Sequence, residues 1–267
     1  MKIDDASVDA RWPRALLVPP RWVVVSVGIL VSAAWLAVVV VDLGGVPAGE
    51  AGWRPLWEHL FNDRPVEWLQ WLLLPLTALS AAYLSARLEV SGERRIAAFF
   101  LFFGLAAALM VIEDAGDIRH VLSDYARRAM GDRVFGLPIR VVSDVPYLAL
   151  LAFVPLYALA RYGRDVWRSP GVRAYLVPAY LLYGLAAVSS GIRHLGDFYI
   201  RVGRWIDEVL LGGRFPVPAD LSEQWAHFLL VDSLIEESVE TMAAACFLAT
   251  VLACVADLRR KRIEAPA

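Results

Sequence analysis

The sequence predicts an all-α fold, a polytopic integral membrane helix bundle with about six transmembrane helices. Three observations predict it. The 267-residue chain is 58% hydrophobic with a mean hydropathy of +0.53, more apolar than one soluble core of this size can hide. Its apolar residues fall into runs of about 20, the length that crosses a bilayer core. Its positive charges cluster in alternate connections instead of spreading along the chain. The formal net charge of −2 leaves no basic surplus to neutralise phosphates, so nucleic acid is not an expected partner.

Taken in order, residues 1–21 form an N-terminal arm with Lys2, Arg11, Arg14 and Arg21. The arm leads into an apolar run that is too long for a signal-peptide core and is not followed by an A-x-A cleavage site, so it reads as a retained first span. The expected spans are 22–43, 66–86, 96–118, 145–160, 174–192 and 228–256, one transmembrane domain over 22–257, with a basic tail at 258–267. Pro75 and Pro178 predict kinks in the second and fifth spans, and Pro146 with Pro155 makes the fourth the shortest. Cys246 and Cys254 lie eight apart in an apolar run and read as small buried hydrophobes, not as a disulfide.

Orientation follows from the short connections. Arg87, Arg94 and Arg95 crowd the link between spans two and three, and Arg161, Arg164, Arg168 and Arg173 the link between four and five. The tail carries Arg259, Arg260, Lys261 and Arg262. Both termini are therefore expected in the cytoplasm, and the protein in the cell membrane as a multi-pass protein. The connections 44–65, 119–144 and 193–226 should face outward. Two of them show helical spacing, at Val121, Leu122, Tyr125, Ala129 and Met130 and at Ile200, Val202, Trp205, Ile206, Val209 and Leu210. These helical extensions on the outer face either continue spans three and five as one long helix each or bend flat at the interface. An internal echo joins the same regions: Ile118-Arg119-His120 matches Ile192-Arg193-His194, either as a duplicated two-span hairpin or as a chance recurrence of short words.

Acidic residues collect at one level. At 1.5 Å per residue Glu113 lies about 26 Å from Ile96, so it sits near the outer edge of the hydrocarbon. Glu240 lies about as far from Asp257, Glu67 and Asp144 open their spans at the same layer, and Glu236 and Glu237 open the apolar part of the sixth. By helical spacing Glu113, Asp117 and His120 share a stripe, as do Ser190, His194 and Asp197, and Asp232, Glu236 and Glu240. His227 falls about half a turn from Glu236 and is expected to lie off that stripe.

Carboxylates and imidazoles on facing helices are what bundle metal centres use. Glu113, Asp117, His120, His194, Asp197, Glu236 and Glu240 are the candidate pool for a divalent metal ion or polar ligand, with Glu113, Asp117, His120 and His194 as the metal set. Neither HExxH nor a paired ExxH is present. The competing reading is an ion-pair network, because Arg119, Arg193 and Arg201 stand among these carboxylates with Glu67 and Asp114 as further partners. Haem held between His120 and His194 is a weaker alternative. The stretches 72–84, 99–112, 176–188 and 242–256 carry almost no ionisable residues, which argues against a solute or proton path.

Three short words add a resemblance. Pro65-Val66-Glu67-Trp68-Leu69-Gln70, Ile112-Glu113-Asp114 and Glu236-Glu237-Ser238-Val239-Glu240-Thr241-Met242 cover about a tenth of the chain and mark the polar ends of three spans. They resemble those of a broad group of uncharacterised bacterial multi-span membrane proteins with Glu-Trp-Leu-Gln and Glu-Glu-x-x-Glu words at span ends. Members often follow the Glu pair with Trp-Gly-Gln-Arg, where this chain has Ala115-Gly116-Asp117. The resemblance implies a helical protein of the bacterial inner membrane and no particular activity.

The expectation is thus a membrane protein whose outer cluster binds a metal ion or polar ligand. The alternative is a structural or accessory subunit whose polar layer is an ion-pair lattice or a docking surface for a membrane-protein partner or a second copy; a transporter is the third reading. The lipid bilayer is its first expected partner.

Overall fold

A computed structural model describes residues 12–44, 54–61, 65–218 and 220–264 of the chain. Among the described residues six helices are long and apolar enough to cross a membrane. Lys2, Arg11 and most of the 44–65 connection lie outside the described residues, as does the Arg262 side chain.

The first long helix, α1 (Pro20–Val38), starts on Pro20 and widens into a π-turn over Val39–Leu43. A short α2 (Leu56–Leu60) follows, capped from a distance: both carboxylate oxygens of buried Asp42 accept backbone N–H groups, from Leu56 and Trp57, each at 2.8 Å. Helices α3 (Pro65–Val90) and α4 (Arg94–Gly116) form an antiparallel pair. Gly104 sets their spacing, since a Cβ there would lie 3.1 Å from the Ala78 carbonyl and the Ala81 methyl.

Helix α4 stops at Asp117, which takes a left-handed conformation (φ 48°), and a separate α5 (Ile118–Met130) begins. A two-residue-per-strand hairpin, β1 (Arg133–Val134) and β2 (Leu137–Pro138), turns through Phe135 and Gly136 at positive φ. Helix α6 (Ile139–Val166) is 28 residues long, not the short 145–160 span expected, because Pro146 and Pro155 lie within it without ending it. Near the second, Tyr180 of the next helix donates to the Pro155 carbonyl at 2.9 Å and ties the two helices together.

Helix α7 (Pro170–Ile192) has Ser169 as its N-cap. It too ends instead of running on: Gly196 and Asp197 are both left-handed before α8 (Phe198–Trp205), whose last turn widens into a π-turn over Ile206–Leu211. Of the two alternatives for the outer extensions, one continuous helix each is therefore ruled out by these left-handed residues, which reset the helix direction. A short α9 (Glu223–Leu229) passes through a π-turn over Leu230–Glu236 into α10 (Glu237–Glu264).

Helix α10 is the centre of the bundle. It packs on α1, α3 and α7, while α4 bridges α3 to α6. Its residues Ala243, Ala244, Ala245, Ala249 and Val251 are fully buried, and small side chains of this kind let neighbouring backbones approach closely. The core on this axis holds Phe99, Phe100 and Phe103 of α4 with Leu74, Leu84 and Leu176.

A second apolar cluster covers one end, with Trp57, Phe61, Tyr199, Phe215 and Leu230. Here α8 and the residues entering the last helix touch backbone to backbone: a Cβ on Gly203 would fall 1.9 Å from the His227 carbonyl oxygen. The two ends of the bundle differ in charge. Arg87, Arg94, Arg95, Arg164, Arg168, Arg173, Arg260 and Lys261 cluster in the α3–α4 and α6–α7 connections and at the end of α10, while the carboxylates gather where α3, α4 and α10 meet the second cluster.

Candidate functional site

Where α10 emerges from its π-turn, the acidic end encloses a cavity of about 430 Å³. Among the described residues eight carboxylates line it: Glu67, Glu113, Asp114, Asp117, Asp232, Glu236, Glu237 and Glu240. Arg119, Arg193 and His120 are the basic residues in its wall. Local structure explains how they meet. Asp232, Glu236 and Glu240 recur every fourth residue through the π-turn and into α10, so one face of that helix is acidic. Across from it α4 presents Glu113 and Asp114 in its last turn, and the left-handed Asp117 turns the chain so that Arg119 and His120 re-enter the same space.

The walls are hydrogen-bonded. The buried Gln70 amide donates to Asp114 and to Glu240, each at 3.0 Å, and Trp71 donates to Asp114 at 2.7 Å. Tyr199 donates to Glu236. Burial and the adjacent Glu236 carboxylate push the Tyr199 hydroxyl well above its ordinary pKa, so it is a lasting donor.

Two arginines stand in this acidic setting. Arg193, 4% exposed, donates to Asp232 at 2.8 Å and to His120 Nε2. Arginine has no acceptor, so that imidazole nitrogen carries a lone pair and the ring proton sits on Nδ1, donating to Asp117. The resulting chain runs Asp232, Arg193, His120, Asp117. Arg119 donates to Ser190 at 2.5 Å and faces Glu113 at 3.6 Å. Burial opposes its charge, but the carboxylates of Asp144, Glu113, Glu236 and Glu240 outweigh burial and hold its pKa above the ordinary value. Some valence is left over: the buried Glu113 Oε2, Arg119 Nε, Arg193 Nε and Glu237 Oε2 have no hydrogen-bond partner among the described residues.

The structure thus brings together Glu113, Asp117, His120, Glu236 and Glu240 of the expected pool, with Glu67, Asp114, Arg119 and Arg193. It leaves three out. His194 is outside the cavity wall; its ring stacks on Phe228 at 5.6 Å, and its Nε2 faces Arg140 at 3.4 Å. Burial first, then Arg193 and Arg140, push its pKa down to about 4. Asp197 and Arg201 are exposed and not part of the wall.

The stripe of Glu113, Asp117 and His120 is not a single helical face, because the helix breaks at Asp117; the three meet through that break. The Ser190, His194, Asp197 stripe is broken in the same way and does not converge. Among the described residues no three His, Cys, Asp or Glu side chains are grouped to hold a metal ion. The two histidines do not form an axial pair either, since the Nε2 of each faces an arginine.

His227 lies off the acidic stripe, as expected, and is buried against Asp207 at 3.1 Å. Sequence reasoning missed Gln70, Trp71 and Tyr199. The first two stand one turn after Glu67 at the start of a span, a signal that spacing from Glu67 would have exposed; Tyr199 carried none, because α8 reaches the wall only after the break at Gly196.

Comparison with protein-family models, with curated proteins and with solved structures gave no match.

Proposed function

We propose that the protein is a multi-pass protein of the cell membrane, with both termini in the cytoplasm, whose acidic cavity binds a polar, positively charged ligand from the outer side. One observation carries this reading: among the described residues, eight carboxylates share a cavity with two arginines and one histidine. Glu113, Asp117 and Asp232 have basic partners, but Asp114, Glu236, Glu237 and Glu240 have no arginine or histidine within ion-pair distance among the described residues. Carboxylates confined together in a poorly solvated space repel one another, and a bound cation relieves that repulsion. A cavity of about 430 Å³ fits a small organic group, and among the described residues there is no preformed cage for a bare ion. The membrane placement is supported by the six apolar helices and by the basic residues at the opposite end of the bundle.

A second reading, the accessory subunit with an ion-pair lattice, is favoured by the continuous chain from Asp232 through Arg193 and His120 to Asp117. Calorimetry of the protein in phosphatidylcholine nanodiscs separates them. Ethylammonium should give saturable binding, reduced in Glu237→Gln, and acetate at equal ionic strength none. Absence of ethylammonium binding would support the lattice. Tight Mn²⁺ binding lost in both Glu113→Gln and His120→Ala would replace the organic cation with a metal ion.

A further inference from the structure

A second cavity adjoins the first. It measures about 250 Å³ and lies between α4, α6, α7 and α10. Glu113, Asp114, Arg119 and Glu240 line both cavities, so the two share one polar wall. Apart from Tyr180, Tyr183 and Ser190, the remainder of the second cavity is apolar, running from that wall past Leu151 and Ala187 to Phe247. From Glu240 to Phe247 is seven residues along α10, which places the apolar floor about 10 Å deeper in the bundle.

The second cavity is open at the side. Leu156 of α6 and Val188 of α7 line it and are 54% and 65% exposed, and a Cβ on Gly184 would meet nothing within 4 Å. These positions lie on the apolar flank of two helices long enough to span a membrane, and on the membrane placement proposed above their surrounding medium is acyl chain and not water. At the floor, α6 and α7 are tied together by the hydrogen bond from Tyr180 to the Pro155 carbonyl, so the opening is a slot between the helices and not a gap through them.

A slot with a lipid-facing mouth, an apolar floor and a net-acidic head wall has the chemistry of an amphiphile site. Resting on the cation-binding reading above, we infer that the ligand is a long-chain amphiphile with a protonated amine head: the chain enters between α6 and α7, and the ammonium sits against Glu113, Asp114 and Glu240. The shared wall has three carboxylates to one guanidinium, which selects an ammonium head over a sulfate or phosphate head of the same chain length. A chain passing from bilayer into this slot exchanges one apolar setting for another, so the head supplies the selectivity and the slot supplies the route.

The test uses the full-length protein in phosphatidylcholine nanodiscs and reads its unfolding temperature with three probes: dodecylammonium, dodecyl sulfate and ethylammonium. Dodecylammonium should stabilise the protein at concentrations at least about tenfold below ethylammonium, a ratio equivalent to about 1.4 kcal/mol, and dodecyl sulfate should not stabilise it. Gly184→Phe fills the mouth of the slot, and should remove the advantage of the long chain while leaving ethylammonium stabilisation intact. Glu240→Gln should weaken both amines. If dodecylammonium keeps its advantage in Gly184→Phe, or if dodecyl sulfate stabilises equally, the amphiphile inference is overturned while the cation site stands. If ethylammonium binds nowhere, both fall.

Discussion

Arg193 and His120 join two breaks in the bundle: the guanidinium, just past the end of α7, donates to the imidazole Nε2 just past the end of α4, and the same guanidinium holds Asp232 at 2.8 Å. The counterpart contact runs the other way, from Arg119 to Ser190 at 2.5 Å. Each arginine of the repeated Ile-Arg-His word therefore bonds a residue in or next to the other copy of that word. These paired contacts fix the rim of the acidic cavity.

Replacing Arg193 by Met should be severe. It leaves Asp232 and His120 without their partner in a site where Arg193 is 4% exposed. Breaking a buried pair from one side costs about 3–5 kcal/mol, measured as a fall in denaturation midpoint. Adding Asp232→Asn to the variant should recover part of the loss, because the stranded charge is then gone.

Two glycines should behave oppositely. Gly203→Ala places a methyl 1.9 Å from the His227 carbonyl oxygen, a backbone atom that cannot rotate away, and should cost about 3 kcal/mol or more. Gly184→Ala meets nothing within 4 Å in the middle of α7 and should stabilise by up to about 1 kcal/mol through helix propensity. Thermal unfolding of the two variants side by side checks the pair.

Asp42→Ala removes the acceptor for the Leu56 and Trp57 N–H groups at the start of α2. A lost N-terminal cap costs about 0.5–2 kcal/mol. Protection of those two amides against hydrogen exchange should fall, while that of α10 should not.

His194 gives a pH dependence of known sign. Its pKa falls from 6.5 to about 4 through burial and the neighbouring Arg193 and Arg140. Between those values the unfolded chain takes up a proton that the folded protein refuses, so this residue favours unfolding progressively as pH drops from about 6.5 to about 4. Above that window it contributes no slope. His194→Gln should flatten the stability profile in the window, read from unfolding temperatures at stepped pH.

Much of this was legible in the sequence, and the physical reason differs by feature. Apolar runs of bilayer length located all six long helices, and the fourth was underestimated because Pro146 and Pro155 were weighed as interruptions although α6 runs through both. Asp232, Glu236 and Glu240 were legible because they lie on one continuous helical run. Glu113 and His120 meet for a reason that spacing could not show, a left-handed residue at Asp117, where Gly would be the usual signal. His194 and Asp197 were assigned to the cluster by the same periodicity and lost from it because α7 ends at Ile192, before His194, and the left-handed Gly196 and Asp197 turn the chain again. Pairings that depend on where two broken helices land, such as Tyr199 with Glu236, leave no trace in local pattern.

If the cavity carries more negative charge than its described residues neutralise, removing one of those charges with Glu240→Gln should relieve it. The amide keeps the side chain's size and its acceptor for the Gln70 donor, and removes one charge. Relieving strain at a binding site commonly stabilises by about 0.5–2 kcal/mol, so the unfolding temperature of the ligand-free variant should rise by roughly 2–4 °C per kcal/mol, while its stabilisation by ethylammonium weakens. A fall in unfolding temperature, with ethylammonium stabilisation unchanged, would show that Glu240 is held in a balanced lattice and would contradict the account.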